Sequence, residues 1–358
     1  MAAGQDRSTR LHDGRDARAR QGAPQVTRSR PAPAGQHAPG DNGGVRHTPP
    51  AGLSPRLPSP LQPIDDDRFR RHGVRLLLKR DDLIHPDLPG NKYRKLVLNL
   101  RAAAEAGHDT LLTFGGAYSN HLRATAAAGR LLGLATVGVV RGDELAGRPL
   151  NPSLARCAAD GMRLHFADRS TYREKAAPRT LAALRRETGT EDAYVIPEGG
   201  SNALAVQGCT ALGEELREHT DVAAVACGTG GTLAGLAAGL GPDRQALGIP
   251  VLRGGFLGHD IRTLQQETFG EPTANWRLDE RFHWGGYART PPDLLDFAAD
   301  FERRHGSETG LSVEHLYVAK LLYALTVLSE EGAFRPGTRL TAVITGARGT
   351  PGQSSTSR

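Results

Sequence analysis

With 358 residues and 38% hydrophobic content, the chain can bury the core of one or two domains, and no apolar run approaches the length needed to span a bilayer as a helix. Its formal charge of +6 does not mark a nucleic-acid binder: residues 1–60 hold nine Arg, no Lys and four Asp and so carry +5 of it, leaving the remainder nearly neutral. Cys157, Cys209 and Cys227 are widely spaced and lack a C-x-x-C pattern, which argues against a disulfide framework or zinc site and predicts a reducing, cytoplasmic setting. None of the thirteen histidines has metal-ligand spacing, so no metal is expected.

In chain order, residues 1–60 are rich in Arg, Pro, Ala and Gly, almost without apolar periodicity, and read as a disordered tail. Asp6, Asp13, Asp16 and the many prolines argue against a transit peptide, and no secretory apolar segment is present. A polyanion-binding arm and a non-functional upstream extension are the other readings of this stretch. The body then alternates. A helix over Lys95–Ala106 is followed by a strand over Thr110–Phe114, a helix over Leu122–Leu132, a strand over Thr136–Val140, a helix over Pro152–Asp160 and a strand over Arg163–Phe166. A helix over Ala203–Glu218, a strand over Val222–Ala226, a helical run Leu233–Ala238 and a strand over Gly248–Leu252 come next. Helices over Pro291–Arg304 and Val313–Glu330 and a strand over Leu340–Thr345 complete the series. There is no internal repeat. This alternation predicts an α/β protein, doubly wound, with helices on both faces of a parallel sheet.

Three runs carry chemistry. In Gly90-Asn91-Lys92-Tyr93-Arg94-Lys95, a lysine in a tight Gly-Asn turn before a helix can form an imine with an aldehyde cofactor once desolvation frees its amine. Gly228-Thr229-Gly230-Gly231-Thr232 joins an apolar strand to a helix, so its backbone N–H groups and the helix dipole suit a phosphate. Thr113-Phe114-Gly115-Gly116-Ala117-Tyr118-Ser119-Asn120-His121 is a second strand-to-helix turn, whose small polar groups suit a carboxylate and a cofactor hydroxyl. Singly these runs have plainer readings: a common glycine turn, a helix N-cap at Ser119, a solvated turn lysine. Their conjunction and order point to a pyridoxal phosphate site.

These runs, with Lys79-Arg80-Asp81-Asp82-Leu83, Pro197-Glu198-Gly199-Gly200-Ser201-Asn202-Ala203 and Gly285-Gly286-Tyr287, closely resemble the 1-aminocyclopropane-1-carboxylate deaminase and D-cysteine desulfhydrase family of fold type II pyridoxal phosphate enzymes, from about Leu76 to Gly346. The resemblance implies two doubly wound parallel-sheet domains, a large one of residues 61–97 and 195–350 and a small one of residues 98–194, with the cofactor in the cleft between them and disordered tails at 1–60 and 351–358. It implies that Lys92 holds the cofactor and moves protons at the substrate α-carbon. Asn120 would bond the cofactor's ring oxygen, and Gly228, Thr229, Gly230, Gly231 and Thr232 would cradle its phosphate. Ser119, with Asn120 and His121, would hold the substrate carboxylate, and Tyr287 and Tyr317 match the family's active-site tyrosines. A homodimer acting on a small amino acid, with no nucleic-acid or membrane partner, is also implied.

Three positions, Val318, Ile344 and Ala347, depart from the family. The residue after the second tyrosine tends to be Glu in the deaminases and Thr in the desulfhydrases; here it is Val318, which donates neither charge nor hydrogen bond to the pyridine nitrogen. The usual His-Thr-Gly-Gly is Ile344-Thr345-Gly346-Ala347, leaving Thr345 as the expected partner of that nitrogen. The expected reaction is α,β-elimination from D-cysteine, through an aminoacrylate that hydrolyses to pyruvate and ammonia, with sulfide as the second product. The competing readings are 1-aminocyclopropane-1-carboxylate deamination to 2-oxobutanoate and ammonia, more distantly a β-replacement synthase or a serine or threonine dehydratase, a non-catalytic cofactor-binding protein, and a nucleic-acid module driven by the basic arm.

Overall fold

The computed structural model describes residues 50–88, 90–286 and 288–346. Ten strands are present among them: β1 (Leu61–Ile64), β2 (Arg75–Lys79), β3 (Thr110–Gly115), β4 (Ala135–Arg141), β5 (Met162–Ala167), β6 (Tyr194–Ile196), β7 (Val222–Cys227), β8 (Gln245–Pro250), β9 (Trp276–Leu278) and β10 (Arg339–Val343). They form two sheets. One has the order β1-β2-β10-β7-β8-β9, parallel except for the edge strand β1, which runs antiparallel to β2. The other, β5-β4-β3-β6, is parallel throughout.

The central strands β3, β4, β7 and β8 are covered on both faces, which is why they read as nearly continuous apolar runs. Because side chains alternate along a strand, Ala224, Ala226, Leu247, Ile249, Leu340 and Ala342 enter one cluster with Leu321, Leu325 and Phe301. Their neighbours Ala223, Val225, Cys227, Ala246 and Val343 enter another, with Leu233, Leu236, Leu240 and Leu212. In the smaller sheet Leu112, Phe114, Val137 and Val139 pack with Tyr172 and Leu184, while Leu111 faces Leu96, Leu100 and Ala128. The doubly wound α/β architecture expected from the alternation is the one observed.

Several boundaries differ from the sequence reading. Residues 50–60, assigned to the tail, are in part fixed to the body. Leu53 is buried beside Ile84 and Leu88, and the Ser59 hydroxyl donates to Asp81 Oδ1 at 2.7 Å while its carbonyl accepts from Lys79 Nζ at 2.7 Å. A buried lysine and aspartate need partners, and this segment supplies them. The rest of that tail, to residue 49, and the tail at 351–358 lie outside the described residues. Strands β1, β2, β6 and β9 had no sequence signal: β6 and β9 are three residues long, and β1 contains Pro63, tolerated on an edge strand. The strand placed at Gly248–Leu252 begins at Gln245, and the helix placed from Val313 begins at Val318. Ala203–Glu218 is two short helices, Ala203–Gly208 and Thr210–Leu216.

Candidate active site

Five segments converge where strands end at their carboxyl termini, the position where parallel α/β sheets place ligands. They are Gly90–Lys95 beyond β2, Ser119–His121 after β3, Glu198–Ser201 after β6, Gly228–Thr232 after β7 and Thr345 after β10. A surface concavity lined by Asp221, Gln245, Arg277 and Thr338 lies at the opposite ends of the strands and contains none of the expected site residues.

Lys92 sits inside the first turn of the helix Asn91–Glu105, not in a turn ahead of it, because Gly90, at φ 70°, reverses the chain and the helix begins at once. The helix's own positive end and burial both disfavour its charged form, and burial lowers the amine to about 8 against some opposition from Cys209. The turn is held from below by a buried ionic network. Arg94 donates to Asp81 Oδ2 at 2.8 Å and to Glu215 at 2.9 Å, and Lys79 pairs with Glu215 at 2.6 Å. Asn91 Nδ2 donates to Thr232 Oγ1 at 2.9 Å, tying the lysine turn to the glycine-rich loop.

One residue of this turn was quoted from the sequence but given no role. Lys95, buried and three positions after Lys92 on the same helix face, donates from Nζ to the Gly199 carbonyl at 2.7 Å, to Ser201 Oγ at 2.7 Å and to Thr229 Oγ1 at 3.3 Å. A Cβ on Gly231 would stand 3.3 Å from its Nζ. Burial, then repulsion from Lys92, lowers its amine to about 7. The i, i+3 repeat of lysine in Lys92-Tyr93-Arg94-Lys95 was the available signal.

The glycine-rich loop leads into the helix Gly231–Leu240, whose N-cap, Gly230 at φ 78°, offers no side-chain acceptor. The first N–H groups of that helix are therefore free of any side-chain cap, next to a lysine amine, in surroundings that fit a phosphate. Ser119 does cap the helix Asn120–Leu132, its Oγ accepting from the Leu122 N–H at 3.2 Å. Asn120 Oδ1 accepts from Arg123 Nη2 at 2.8 Å, leaving its amide N–H groups as donors. His121 is buried; Nε2 lies 2.8 Å from Thr113 Oγ1, and a Cβ on Gly200 would stand 3.3 Å from its Nδ1. Burial, then the charges of Lys92 and Lys95, holds its imidazole well below the ordinary histidine range.

Tyr317 brings its hydroxyl within 3.3 Å of where a Cβ on Gly228 would stand. The Thr345 carbonyl touches Gly90, so the end of β10 abuts the lysine turn. Val318 is fully buried in the apolar cluster that includes Ile344. Tyr287 lies outside the described residues. Among the described residues no cluster of His, Cys, Asp or Glu could hold a metal ion, and no helix is long and apolar enough to cross a membrane. The arrangement fits a phosphate-bearing aldehyde: one amine of lowered basicity, a second amine beside an uncapped helix start, and amide donors opposite.

The family profile for pyridoxal-phosphate dependent enzymes matches residues 54–346. A provisionally named 1-aminocyclopropane-1-carboxylate deaminase of Pyrococcus horikoshii is 30% identical over 282 residues, covering 74% of this chain and 82% of that protein. The bifunctional D-cysteine desulfhydrase/1-aminocyclopropane-1-carboxylate deaminase of Arabidopsis thaliana, named as mitochondrial, is 35% identical over 184 residues, 47% of this chain and 45% of that protein. Among solved structures, a 1-aminocyclopropane-1-carboxylate deaminase homologue matches with a TM-score of 0.70 at 27% identity, over 80% of this chain and 89% of that one. A hydrogen sulfide-producing enzyme of Fusobacterium nucleatum shares the fold, with a TM-score of 0.58 at 14% identity over 82% and 94%. The profile spans every segment that converges on the two lysines, and the chain belongs to the pyridoxal-phosphate dependent enzymes.

Proposed function

We propose that this enzyme is a lyase that removes the α-proton of a small amino acid and eliminates its β-substituent, with D-cysteine and water giving pyruvate, ammonia and hydrogen sulfide. The observation that carries the reading is the pair Lys92 and Lys95 on one helix face, between an uncapped glycine-rich helix start and the turn bearing Ser119, Asn120 and His121. When bound, pyridoxal phosphate supplies the conjugated ring that delocalises the electron pair left at the α-carbon.

Lys92, with an amine lowered to about 8, is matched to taking and returning a proton at that carbon near neutral pH. Backbone N–H groups of Gly228 to Thr232, with Lys95, neutralise the phosphate. The Asn120 amide donates to the ring oxygen, and Ser119, with the backbone N–H groups of Asn120 and His121, orients the substrate carboxylate. Tyr317 is assigned to the departing group as acid, base or polar wall, and Tyr287 is assigned the same role from its match in the sequence alone. The proposal includes a homodimer, a reducing cytoplasmic setting in keeping with three free, buried cysteines, and closure of a small domain, residues 98–194, over a large one, residues 61–97 and 195–350.

Thr345 is assigned to the pyridine nitrogen, as hydrogen-bond donor to its unprotonated form, since Val318 offers neither charge nor donor. Replacing it by alanine is expected to lower kcat about tenfold, the worth of one hydrogen bond, and to shift the bound cofactor's absorption. Unchanged turnover and spectrum would remove Thr345 from the site.

Cyclopropane opening is the second reading, favoured by the names of both curated relatives. The deciding experiment offers D-cysteine, L-cysteine and 1-aminocyclopropane-1-carboxylate in parallel and identifies the 2-keto acid released. Pyruvate with sulfide from D-cysteine alone is expected; 2-oxobutanoate from the cyclopropane substrate would replace the proposal with deamination.

A further inference from the structure

One buried lysine has no part in the site described so far. Lys320 is fully buried in the first turn of the helix Val318–Glu330, between Ala319 and Leu321 of the large apolar cluster. Three circumstances disfavour its charge there. Burial lowers the amine to about 8, with Glu314 opposing. The positive end of the helix repels a cation. Its hydrogen-bond partners are neutral: Lys79, almost as buried, pairs with the Glu215 carboxylate, whereas Lys320 donates from Nζ to the His283 carbonyl at 3.1 Å and to the Gly286 carbonyl at 2.9 Å. A methionine would fill the same space without these penalties, so packing does not account for an ammonium at this position.

The two acceptors belong to a loop with an unfavourable backbone. Trp284, Gly285 and Gly286 follow one another at φ 50°, 84° and 143°, and Trp284 is the only non-glycine residue with positive φ among the described residues. Such a run persists where its surroundings over-determine it. The Gly285 N–H donates to His283 Nδ1 at 2.7 Å, and the Trp284 ring packs edge-on against Tyr323, with centroids 5.0 Å apart. Tyr323 stands three residues after Lys320 and Tyr317 three before it, so the three are successive neighbours on the surface of one helix. The Gly286 carbonyl is half of the Gly286–Tyr287 peptide. Because that unit is planar, a hydrogen bond to its oxygen also fixes the plane of the bond leading into Tyr287.

We propose that Lys320 is a positioning residue: its ammonium gathers the His283 and Gly286 carbonyls, fixes the Gly286–Tyr287 peptide against the helix that begins beside Tyr317, and so sets the two tyrosines at one spacing about the departing group. The role rests on the reading of Tyr287 and Tyr317 as groups at that substituent. Lys320 itself moves no proton in the reaction.

The first arm of the test uses the full-length, cofactor-loaded enzyme and whichever of the three offered substrates it turns over. Lys320→Met keeps the stem and removes the donor. It is expected to lower kcat about tenfold, the worth of one hydrogen bond from a charged group, with KM nearly unchanged and a melting temperature no lower than that of the unaltered enzyme. Made in Tyr287→Phe, the same substitution is expected to cost nothing further, because Lys320 acts through that tyrosine. An unchanged kcat in Lys320→Met, or losses that multiply in the double variant, overturns the proposal. The second arm leaves Lys320 in place and needs no turnover. Gly286→Ala puts a Cβ on a backbone at φ 143° with nothing within 4 Å to clash, so strain alone displaces the Gly286 carbonyl. Acylation of Lys320 by a soluble amine reagent, followed by peptide mass spectrometry, is expected to be about 100-fold slower than that of half-buried Lys175 in the unaltered chain and to speed up about tenfold in Gly286→Ala. Lys320 that reacts as fast as Lys175, or at a rate that Gly286→Ala leaves unchanged, overturns the proposal even where Lys320→Met fails to fold. A chain that turns over none of the substrates defeats the functional reading, while the acylation rates still decide whether Lys320 holds the Gly286–Tyr287 peptide.

Discussion

Lys92→Ala is expected to abolish turnover, by roughly 10³- to 10⁴-fold, the range for losing a positioned group that both takes and returns a proton. It is also expected to leave the melting temperature within a few degrees of the unaltered enzyme. The sign of the stability change matters. An amine lowered from 10.5 to about 8 in the folded chain opposes folding wherever it is charged, because the unfolded chain binds the proton more tightly. That penalty is present in full below about pH 8 and disappears as pH rises toward 10.5. At about 1.4 kcal/mol per unit, it reaches about 3 kcal/mol at neutral pH as an upper bound. Alanine removes it, but also removes three methylenes of packing, worth about 0.8 kcal/mol each, so the two nearly cancel. Purified Lys92→Ala that melts normally yet still turns over substrate would overturn the assignment of the whole site. Inactivity together with a melting point lowered by ten degrees would show instead that Lys92 holds the fold.

The parts of the site that the sequence revealed are those where the backbone itself makes the binding surface. Gly228 to Thr232 had to be read as a turn because an apolar run, Val222–Ala226, precedes it and the run beyond is helical, and Ser119-Asn120-His121 carries its own cap. These are local requirements, visible in a few consecutive residues. Lys95 was not assigned because its partners, Gly199, Ser201 and Thr229, come from loops more than a hundred residues away. The His121 ring meets Thr113, whose hydroxyl donates to the Ile196 carbonyl, an arrangement that exists only because β6 pairs with β3. Strand β2 was passed over for a similar reason: it pairs with β10 and β1, so its membership in the sheet is a tertiary fact. The sequence carried the resemblance and the motifs; the contacts that set their electrostatics arise from the meeting of distant segments.

Gly90→Ala is expected to cost at least 2–3 kcal/mol of stability and to cut turnover by about 100-fold, although glycine 90 has no side chain to take part in chemistry. Two penalties combine. Its backbone, at φ 70° and ψ −150°, occupies a region essentially closed to residues with a Cβ. Independently, an ideal Cβ there would stand 1.7 Å from the Thr345 carbonyl oxygen and 2.4 Å from its carbon, so no rotamer change relieves the clash and one backbone must move. Either movement acts on the site: displacing Gly90 shifts Lys92 two residues on, and displacing Thr345 shifts the residue assigned to the pyridine nitrogen. A misplacement near 1 Å at a reacting group suffices for a 100-fold loss. Gly107→Ala separates the two penalties, since Gly107 is at φ 74° but an added Cβ would meet nothing within 4 Å. It is expected to cost about 1 kcal/mol, the price of the left-handed backbone alone, and to leave kcat unchanged. If Gly90→Ala matches Gly107→Ala in both melting temperature and kcat, the contact between the lysine turn and the end of β10 does not position the site.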